Sequence, residues 1–444
     1  IEIKANNILV RNYQLTYQEK GQPRQSLLTS VQQFGYDAHG ENPVSLPPIT
    51  LTYKDADANT LARSDLPPQI GNMTWSTDNY LHITGDFNGD EKDDIFLWHK
   101  DGINTYLFFS RGDGSFQRIH QPEGIGNKGW SKGSSGVYPG DYNGDGKKDL
   151  LRWQDNGNNY LFVSNFSSQP DESGNFTGSF QAIYHPVGIG GQAWTYMTHI
   201  PGDYTGDGKT DILRWECDGD TSIYLAYVDG GVVKFNKITH PSGIGGGYDC
   251  DGTVHIPGDF NGDGKTDILK WHSGGANRIY LSNGDGSFQG IYQPAGLGSI
   301  GWKKQYTAHI PGDFNADGLT DVLKWESSGG NNYLFLSKGD GTFQAFYQPA
   351  GIGTAGYPGY NNNYPRTAFI PGDFNGDTRS DFLKWDKDGN NLLLLSKGDG
   401  GFEAISQPSA IGSMGWSADG HTTMCTGIFS VTGKKMCSGG KPTG

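Results

Sequence analysis

The sequence predicts an all-β fold, a β-propeller of four-stranded blades, with seven blades favoured and six as the alternative. An acidic phrase, in its commonest form Gly-Asp-Phe-Asn-Gly-Asp, recurs six times, with its first Asp at positions 86, 141, 203, 259, 313 and 373. Each interval contains four short runs of alternating apolar and polar residues, which are typical of strands. Gly and Pro are abundant, at 69 and 21 of 444 residues, without the three-residue period of collagen.

Each repeat is interpreted as one blade. Tight turns such as Gly339–Gly341 would join the third and fourth strands as hairpins. The second repeat carries a longer insert at this point, Phe166–Gly178. Radial repetition of such units protects the sheet edges, which favours a propeller. In the fifth repeat the four predicted strands are His309–Phe314, Asp321–Trp325, Asn332–Ser337 and Thr342–Tyr347.

The two ends of the chain are expected to close the propeller. A seventh, decayed copy of the acidic phrase lies at Gly427–Gly433, where Ile428 and Thr432 stand in place of the acids. We predict that strands from residues 1–60 join this copy in a hybrid closing blade, and that residues 61–444 form the propeller.

The N-terminal residues offer spare strands for that blade. Strand-like runs occupy Ile8–Tyr17, Ser26–Tyr36 and Pro48–Tyr53. The alternative interpretation is a separate small β domain at residues 1–60 beside a six-bladed ring.

The acidic phrases place side-chain oxygens at positions one, three, five and nine of a tight loop. In the fourth copy Gly264 permits a sharp bend at position six, and the carbonyl of Lys265 would add a further oxygen. Carboxylate and amide oxygens without His or Cys favour Ca²⁺ over zinc or copper. The predicted ligands are Asp86, Asn88, Asp90 and Asp94; Asp141, Asn143, Asp145 and Asp149; Asp203, Thr205, Asp207 and Asp211; Asp259, Asn261, Asp263 and Asp267; Asp313, Asn315, Asp317 and Asp321; and Asp373, Asn375, Asp377 and Asp381.

Up to six calcium ions are therefore expected, and we interpret them as structural staples rather than as ions that bridge to a ligand. Two copies have Glu91 and Thr378 at position six, and Thr205 replaces Asn in a third, so these sites are expected to be weaker. Eighteen of the 48 acidic residues are the Asp at positions one, five and nine. The acidity of the chain is thus concentrated in the loops.

Charge and motifs narrow the functional class. A formal net charge of −14 argues against a nucleic-acid or anionic-membrane surface. No run of 18 apolar residues encodes a transmembrane helix. No Gly-x-Ser-x-Gly, His-Glu-x-x-His or phosphate-binding motif is present. These observations predict a binding module rather than an enzyme; the alternative is a polysaccharide-acting enzyme with its site in the propeller channel.

The four cysteines indicate the compartment. We predict a Cys217–Cys250 bridge between loops at one end of the propeller, and a Cys425–Cys437 bridge that flanks the decayed loop. Four cysteines allow three pairings, so the other two pairings stay open. Paired cysteines together with calcium loops favour a secreted, extracellular protein, because calcium is millimolar there.

Aromatic residues follow the Pro-x-Gly connections between repeats. Rings around a rim can stack on sugars while Gln and Asn hydrogen-bond to the hydroxyls, which predicts a lectin-like face. The alternative is that these rings wedge between blades as packing. We assign a structural role to the Trp of each second strand and to the histidines His199, His255 and His309. The candidate ligand-binding residues are Trp130, Trp194, Trp302, Tyr357 and Trp416.

The six loops with their following strands, over residues 80–437, resemble the FG-GAP/VCBS repeat family, which includes integrin α-chain propellers and propeller lectins. The opening runs Val10–Tyr17, Leu27–Phe34 and Leu46–Tyr53 are similar to the segment before the propeller in SpvB-like proteins and Tc-toxin B components. This resemblance implies a module that binds a glycan or a protein partner, in a larger toxin-like polypeptide or complex. Toxin activity is not implied, because the toxin shell and an ADP-ribosyltransferase motif are absent from this sequence.

Overall fold

A computed structural model of the chain describes the following residues by number: 2–5, 8–20, 25–36, 44–45, 49–50, 79–112, 115–130, 135–190, 197–216, 220–244, 252–303, 306–357, 360–361, 364–365, 367–386, 388–406 and 408. The regular secondary structure of these residues consists of 31 β-strands. The chain divides into two compact units, Ile1–Asp57 and Ala58–Gly444, which are considered separately below.

The first unit contains a sheet of five strands. These are β1 (Glu2–Ala5), β2 (Ile8–Lys20), β3 (Gln25–Gly35), β4 (Val44–Ser45) and β5 (Ile49–Thr50). The strands follow the order β1-β2-β3-β4, and β5 also pairs with β3. Strands β2 and β3 form a long antiparallel hairpin with a register shift between Thr16 and Tyr17.

The second unit contains six antiparallel sheets of four strands, each in simple sequential order. Blade 1 consists of β6 (Tyr80–Gly85), β7 (Asp94–His99), β8 (Tyr106–Ser110) and β9 (Phe116–His120). Blade 2 consists of β10 (Ser135–Gly140), β11 (Asp149–Gln154), β12 (Tyr160–Ser164) and β13 (Phe180–Tyr184). Blade 3 consists of β14 (Met197–Gly202), β15 (Asp211–Glu216), β16 (Ser222–Asp229) and β17 (Val232–Thr239). Blade 4 consists of β18 (Thr253–Gly258), β19 (Asp267–His272), β20 (Arg278–Ser282) and β21 (Phe288–Tyr292); blade 5 of β22 (Thr307–Gly312), β23 (Asp321–Glu326), β24 (Tyr333–Ser337) and β25 (Phe343–Tyr347). A short ribbon of β26 (Tyr360–Asn361) and β27 (Tyr364–Pro365) precedes blade 6, which consists of β28 (Thr367–Gly372), β29 (Asp381–Asp386), β30 (Leu392–Ser396) and β31 (Phe402–Ser406).

The all-β propeller predicted from the sequence is confirmed, but the described residues form six blades, the alternative count, rather than the favoured seven. The N-terminal strands explain the difference. At 13 and 11 residues, β2 and β3 are about twice as long as most blade strands, and they satisfy each other's backbone groups in their own hairpin. The decayed copy at Gly427–Gly433, on which the hybrid closing blade depended, lies outside the described residues.

Apolar side chains from successive blades form shared cores. Between blades 1 and 2, Phe96 and Trp98 pack with Leu150 and Phe162 in one cluster. The Trp98 ring meets the Phe162 ring edge-on, with centroids 5.4 Å apart. Its indole Nε1 donates a hydrogen bond of 2.7 Å to the Lys128 carbonyl in the connection between the blades. The second-strand tryptophans are therefore blade packing, as the sequence indicated.

The first-strand histidines are also structural. The rings of His255 and His309 are buried against Trp215 and Trp271 of the preceding blades, with centroids 4.5 and 4.8 Å apart. Burial, together with the smaller effect of the neighbouring Lys270 and Lys324, lowers the pKa of each histidine to about 3. Both side chains therefore stay neutral at physiological pH, which agrees with their interpretation as packing residues rather than bases.

The Pro-x-Gly connections fix the distance between blades. In the connection after blade 2, the Phe235 amide of blade 3 donates a hydrogen bond of 2.8 Å to the Val187 carbonyl. The next residue, Gly188, has a φ of +93°, and a Cβ there would lie 1.9 Å from the Phe235 carbonyl oxygen. Only glycine fits this approach. The equivalent Gly124, Gly243, Gly296 and Gly351 face the same obstruction in their own connections.

We predict that Gly188→Ala destabilises the propeller by roughly 2–4 kcal/mol, because the new methyl group collides with backbone that belongs to the next blade. Gly190→Ala, two residues later, is the matched control, since a Cβ there meets nothing within 4 Å. Chemical denaturation measures both variants. Equal stabilities for the two variants would contradict this role for Gly188.

Acidic loops and an exposed aromatic edge as candidate sites

Each acidic loop is folded around the carboxylate at its first position. In blade 4, Asp259 Oδ1 accepts the Gly262 amide at 2.6 Å, and Oδ2 accepts the Gly264 amide at 2.9 Å. Position six adopts a positive φ, +77° at Gly264. Glu91 and Thr378 take the same conformation, with φ of 64° and 70°. The loop therefore imposes a left-handed residue at position six even where the sequence lacks glycine.

The carboxylate at position nine lies at the base of the loop and is fully buried. In blade 4, Asp267 Oδ2 accepts the Phe260 amide of the loop at 3.0 Å, and Oδ1 accepts the Ser282 amide of β20 at 2.8 Å. Burial raises the pKa of Asp267 to about 7, although the two amide hydrogen bonds act in the opposite direction. The same pair of bonds recurs in the other five blades at Asp94, Asp149, Asp211, Asp321 and Asp381.

A basic residue at position seven neutralises the carboxylate at position five. In blade 4 the Lys265 Nζ lies 2.6 Å from Asp263 Oδ2. Lys92, Lys147, Lys209 and Arg379 pair in the same way in blades 1, 2, 3 and 6. Blade 5 has Leu319 at this position, and Asp317 there keeps the hydrogen bond of 2.8 Å from Asn315 Nδ2, which blades 4 and 6 also make. Sequence reasoning missed these pairs, although the basic residues recur visibly at position seven.

The loops also connect successive blades. The carbonyl of Asp203, at position one of the blade 3 loop, accepts the Thr266 amide of blade 4 at 2.6 Å. The Thr266 side chain covers Gly202, where a Cβ would lie 2.6 Å from its Cγ2. Matching bonds run from Lys148, Thr210, Thr320 and Ser380 to the preceding loops. Each loop thus connects two neighbouring blades by a hydrogen bond, in addition to forming a turn within its own blade.

The donor types of the loops fit Ca²⁺, since they are hard carboxylate and amide oxygens. Among the described residues, however, no three His, Cys, Asp or Glu side chains are grouped to hold a metal ion. The carboxylates at positions one and nine instead accept backbone amides. The calcium assignment therefore stays a prediction.

The predicted ligand-binding aromatics that the structure describes make packing contacts. Trp130 is half-buried, and its Nε1 donates to the Trp98 carbonyl at 2.7 Å. Trp302 donates likewise to the Trp271 carbonyl at 3.1 Å. Tyr357 is buried in the core beside Trp325. Trp194 and Trp416 lie outside the described residues, as do the cysteines of the two predicted bridges, Cys217, Cys250, Cys425 and Cys437.

A different set of aromatic side chains is exposed, at the ends of the fourth strands. Tyr184, Tyr292 and Tyr347 are 52%, 58% and 54% exposed, and His120 is exposed at the same position of blade 1. Each immediately precedes a Gln-Pro or His-Pro dipeptide whose first residue has a positive φ, between 44° and 52°. This dipeptide is visible in the sequence and could have identified the exposed aromatic residues that precede it.

These exposed rings are supported from within their own blades. Tyr347 packs on Tyr333 of the neighbouring strand, with ring centroids 5.0 Å apart, and the buried Lys324 Nζ lies 5.7 Å from the Tyr333 centroid. Tyr184 packs on Tyr160 at 4.8 Å, and the Arg152 guanidinium lies 4.8 Å from the Tyr160 centroid. We call the four exposed side chains, His120, Tyr184, Tyr292 and Tyr347, the aromatic edge.

Six blades with one amide-bonded acidic loop each define a β-propeller of acidic-loop repeats. A model of the FG-GAP-like repeat matches residues 86–152, 203–270, 259–324 and 313–383, which is more than half of the chain. The chain therefore belongs to the FG-GAP-like repeat family.

Three known proteins are similar to parts of this chain. Human (Homo sapiens) cartilage acidic protein 1 is 25% identical over 287 residues, which cover 60% of this chain and 37% of that protein. The chain thus matches little more than a third of that relative's length. A lectin from Agrocybe aegerita shares 20% identity and superposes with a TM-score of 0.61 over 80% of this chain and 89% of its own, which shows the fold. The TcdB2-TccC3 structure is 15% identical over 86% of this chain and 17% of its own, and its TM-score of 0.33 is too low for a structural argument.

Across the described part of the chain, no helix has the length and apolar character to cross a membrane.

We predict that Asp267→Ala destabilises the propeller by roughly 2–5 kcal/mol, because the buried amides of Phe260 and Ser282 both lose their acceptor. Asp285→Ala is the control, since this exposed carboxylate belongs to a turn of the same blade. Urea denaturation in EDTA measures both, so that bound metal does not contribute. Comparable losses in the two variants would contradict the special role of position nine.

Proposed function

We propose that this chain is a secreted, calcium-stabilised propeller that binds a glycan and catalyses no reaction. The aromatic edge carries the proposal. Aromatic rings are costly to expose, yet equivalent positions of blades 2, 4 and 5 keep a tyrosine about half exposed. Sugars bind proteins through such rings, because the apolar face of a pyranose stacks on the ring while its hydroxyls hydrogen-bond to polar neighbours.

The similar lectin suggests a first probe. The Agrocybe aegerita lectin specifically recognises non-reducing terminal N-acetylglucosamine. Identity of 20% transfers the fold and not the ligand, so N-acetylglucosamine is a starting probe only. Docking to a protein is the rival role, and the resemblance of the opening runs to toxin components supports a place in a larger toxin-like assembly.

We expect the full chain to bind glycans saturably on an array that includes N-acetylglucosamine-terminated, other neutral and acidic glycans. The exposed tyrosines provide the physical reason, as they offer stacking surface without further rearrangement. Array positions that carry no glycan are the blank. An array without binding favours protein docking, and turnover of any polysaccharide would contradict the whole proposal.

Calcium in the loops is part of the proposal. Its support is the repeated set of oxygen donors, with carboxylates at positions one, five and nine of all six loops. Occupation would bring Ca²⁺ to the carboxylate at position five, which Lys or Arg at position seven contacts in five of the loops. The ion would stabilise the loop that joins the first and second strands. Because each loop also hydrogen-bonds to the next blade, this would stabilise the contact between blades as well.

We predict that EDTA lowers the melting temperature and that Ca²⁺ restores it, because binding to the folded state alone stabilises that state. A single site at 100 times its Kd contributes about 2.7 kcal/mol. Mg²⁺ is the control, since its smaller ion demands stricter octahedral geometry. A melting temperature that neither EDTA nor Ca²⁺ changes would remove calcium from the proposal and leave glycan binding untouched.

A further inference from the structure

An open groove of about 410 Å³ lies between blades 5 and 6. One wall is the end of the fourth strand of blade 5 and the connection that follows it, and the other is the hairpin turn of blade 6. Tyr347 of the aromatic edge lines this groove together with Gln348 and Asp399. Ala350 and Gly401 also line it.

The Tyr347 ring is exposed but held in place. Its hydroxyl donates a hydrogen bond of 3.0 Å to the Gly330 carbonyl and accepts one of 3.2 Å from Gln348 Nε2. One side of the ring packs on Tyr333. A ring fixed in this way loses little conformational entropy when a ligand stacks on it. Gln348 is fixed as well, by its φ of 50° and by the bond from its amide to the Asn332 carbonyl at 2.9 Å.

The turn of blade 6 differs from the turns of blades 4 and 5 at one position. In those turns Ser287 and Thr342 follow the Asp-Gly pair, and each hydroxyl donates a hydrogen bond of 2.6 Å to the turn carboxylate, Asp285 or Asp340. Blade 6 has Gly401 there, so Asp399 accepts the Gly401 amide at 3.0 Å and, within the described part of the chain, no hydroxyl from its own turn. The missing side chain both widens the groove and leaves the exposed Asp399 carboxylate able to accept hydrogen bonds from a ligand.

We propose that this groove is the principal glycan site of the propeller and takes one terminal pyranose ring of a neutral or N-acetylated sugar. The inference rests on the proposed function and deepens it, because it replaces several equivalent sites with one unequal site. The apolar face of the sugar stacks on Tyr347. Asp399 accepts hydrogen bonds from adjacent hydroxyls, and its charge repels sialic and uronic acids.

Two variants copied from other blades test the site in the full chain. Tyr347→Thr introduces the residue that blade 3 carries at this position, Thr239. Gly401→Thr introduces the residue of blade 5, Thr342, and fills the groove. A Cβ at Gly401 would lie 3.1 Å from the Ala350 Cβ, which requires a shift of only a few tenths of an ångström. Tyr227→Thr and Tyr306→Thr are the matched controls, since these exposed tyrosines lie outside the aromatic edge.

The measurement is binding to the glycan array, with melting temperatures to establish folding. Tyr347→Thr and Gly401→Thr are each expected to weaken binding at least about tenfold, the loss of one good stacking contact, whereas both controls keep wild-type binding. Asp399→Asn is expected to admit acidic terminal sugars. If Gly401→Thr fails to fold, the surface variant Tyr347→Thr decides alone.

The outcomes separate the site from the function. Binding that survives Tyr347→Thr, or that is lost in Tyr227→Thr or Tyr306→Thr, overturns the groove and leaves the glycan-binding function standing. No binding of any array glycan by the wild-type chain overturns the proposed function itself.

Discussion

The buried carboxylate at position nine of each acidic loop is the interaction on which the propeller depends. A fully buried carboxylate is costly unless both oxygens are hydrogen-bonded. At Asp267 one oxygen accepts an amide of the loop and the other an amide of the third strand. These two bonds hold the loop against the blade. The carbonyl of the first residue of the same loop then accepts an amide of the next blade. The loop therefore determines both the geometry within a blade and the spacing between blades.

Repetition of that interaction made most of the fold predictable. The recurring acidic phrase located all six described loops, and the Asp at position nine begins the second strand of every blade. The number of blades was less accessible, because nothing in the runs at Ile8–Tyr17 and Ser26–Tyr36 states which partner they pair with. They form a hairpin with each other. Strand propensity is local, whereas pairing depends on partners distant in the sequence.

The candidate sites were predictable to different degrees. The loop residues were found because an acidic pattern is visible wherever it stands. The roles of Trp130 and Tyr347 could not be read in the same way, since both are aromatic residues beside connections. What distinguishes them is three-dimensional. The Trp130 indole reaches a backbone carbonyl of blade 1, whereas Tyr347 ends the fourth strand of blade 5 and keeps half of its surface exposed.

In a repeat protein of this kind, the positions that carry the fold are shared by all copies, whereas positions that differ between copies are open to a function. Positions that carry the fold are nearly invariant among the six blades, and even Glu91 and Thr378 are forced into the conformation of the glycine they replace. Positions that the fold leaves open, such as the residue after the Asp-Gly pair of the hairpin turn, differ between blades. At that position Ser287 and Thr342 donate a hydroxyl hydrogen bond to the turn carboxylate, whereas Gly401 has no side chain to do so. In the proposed glycan site, the missing side chain at Gly401 would supply both the space and a carboxylate acceptor, without disturbing the loops that hold the blades together.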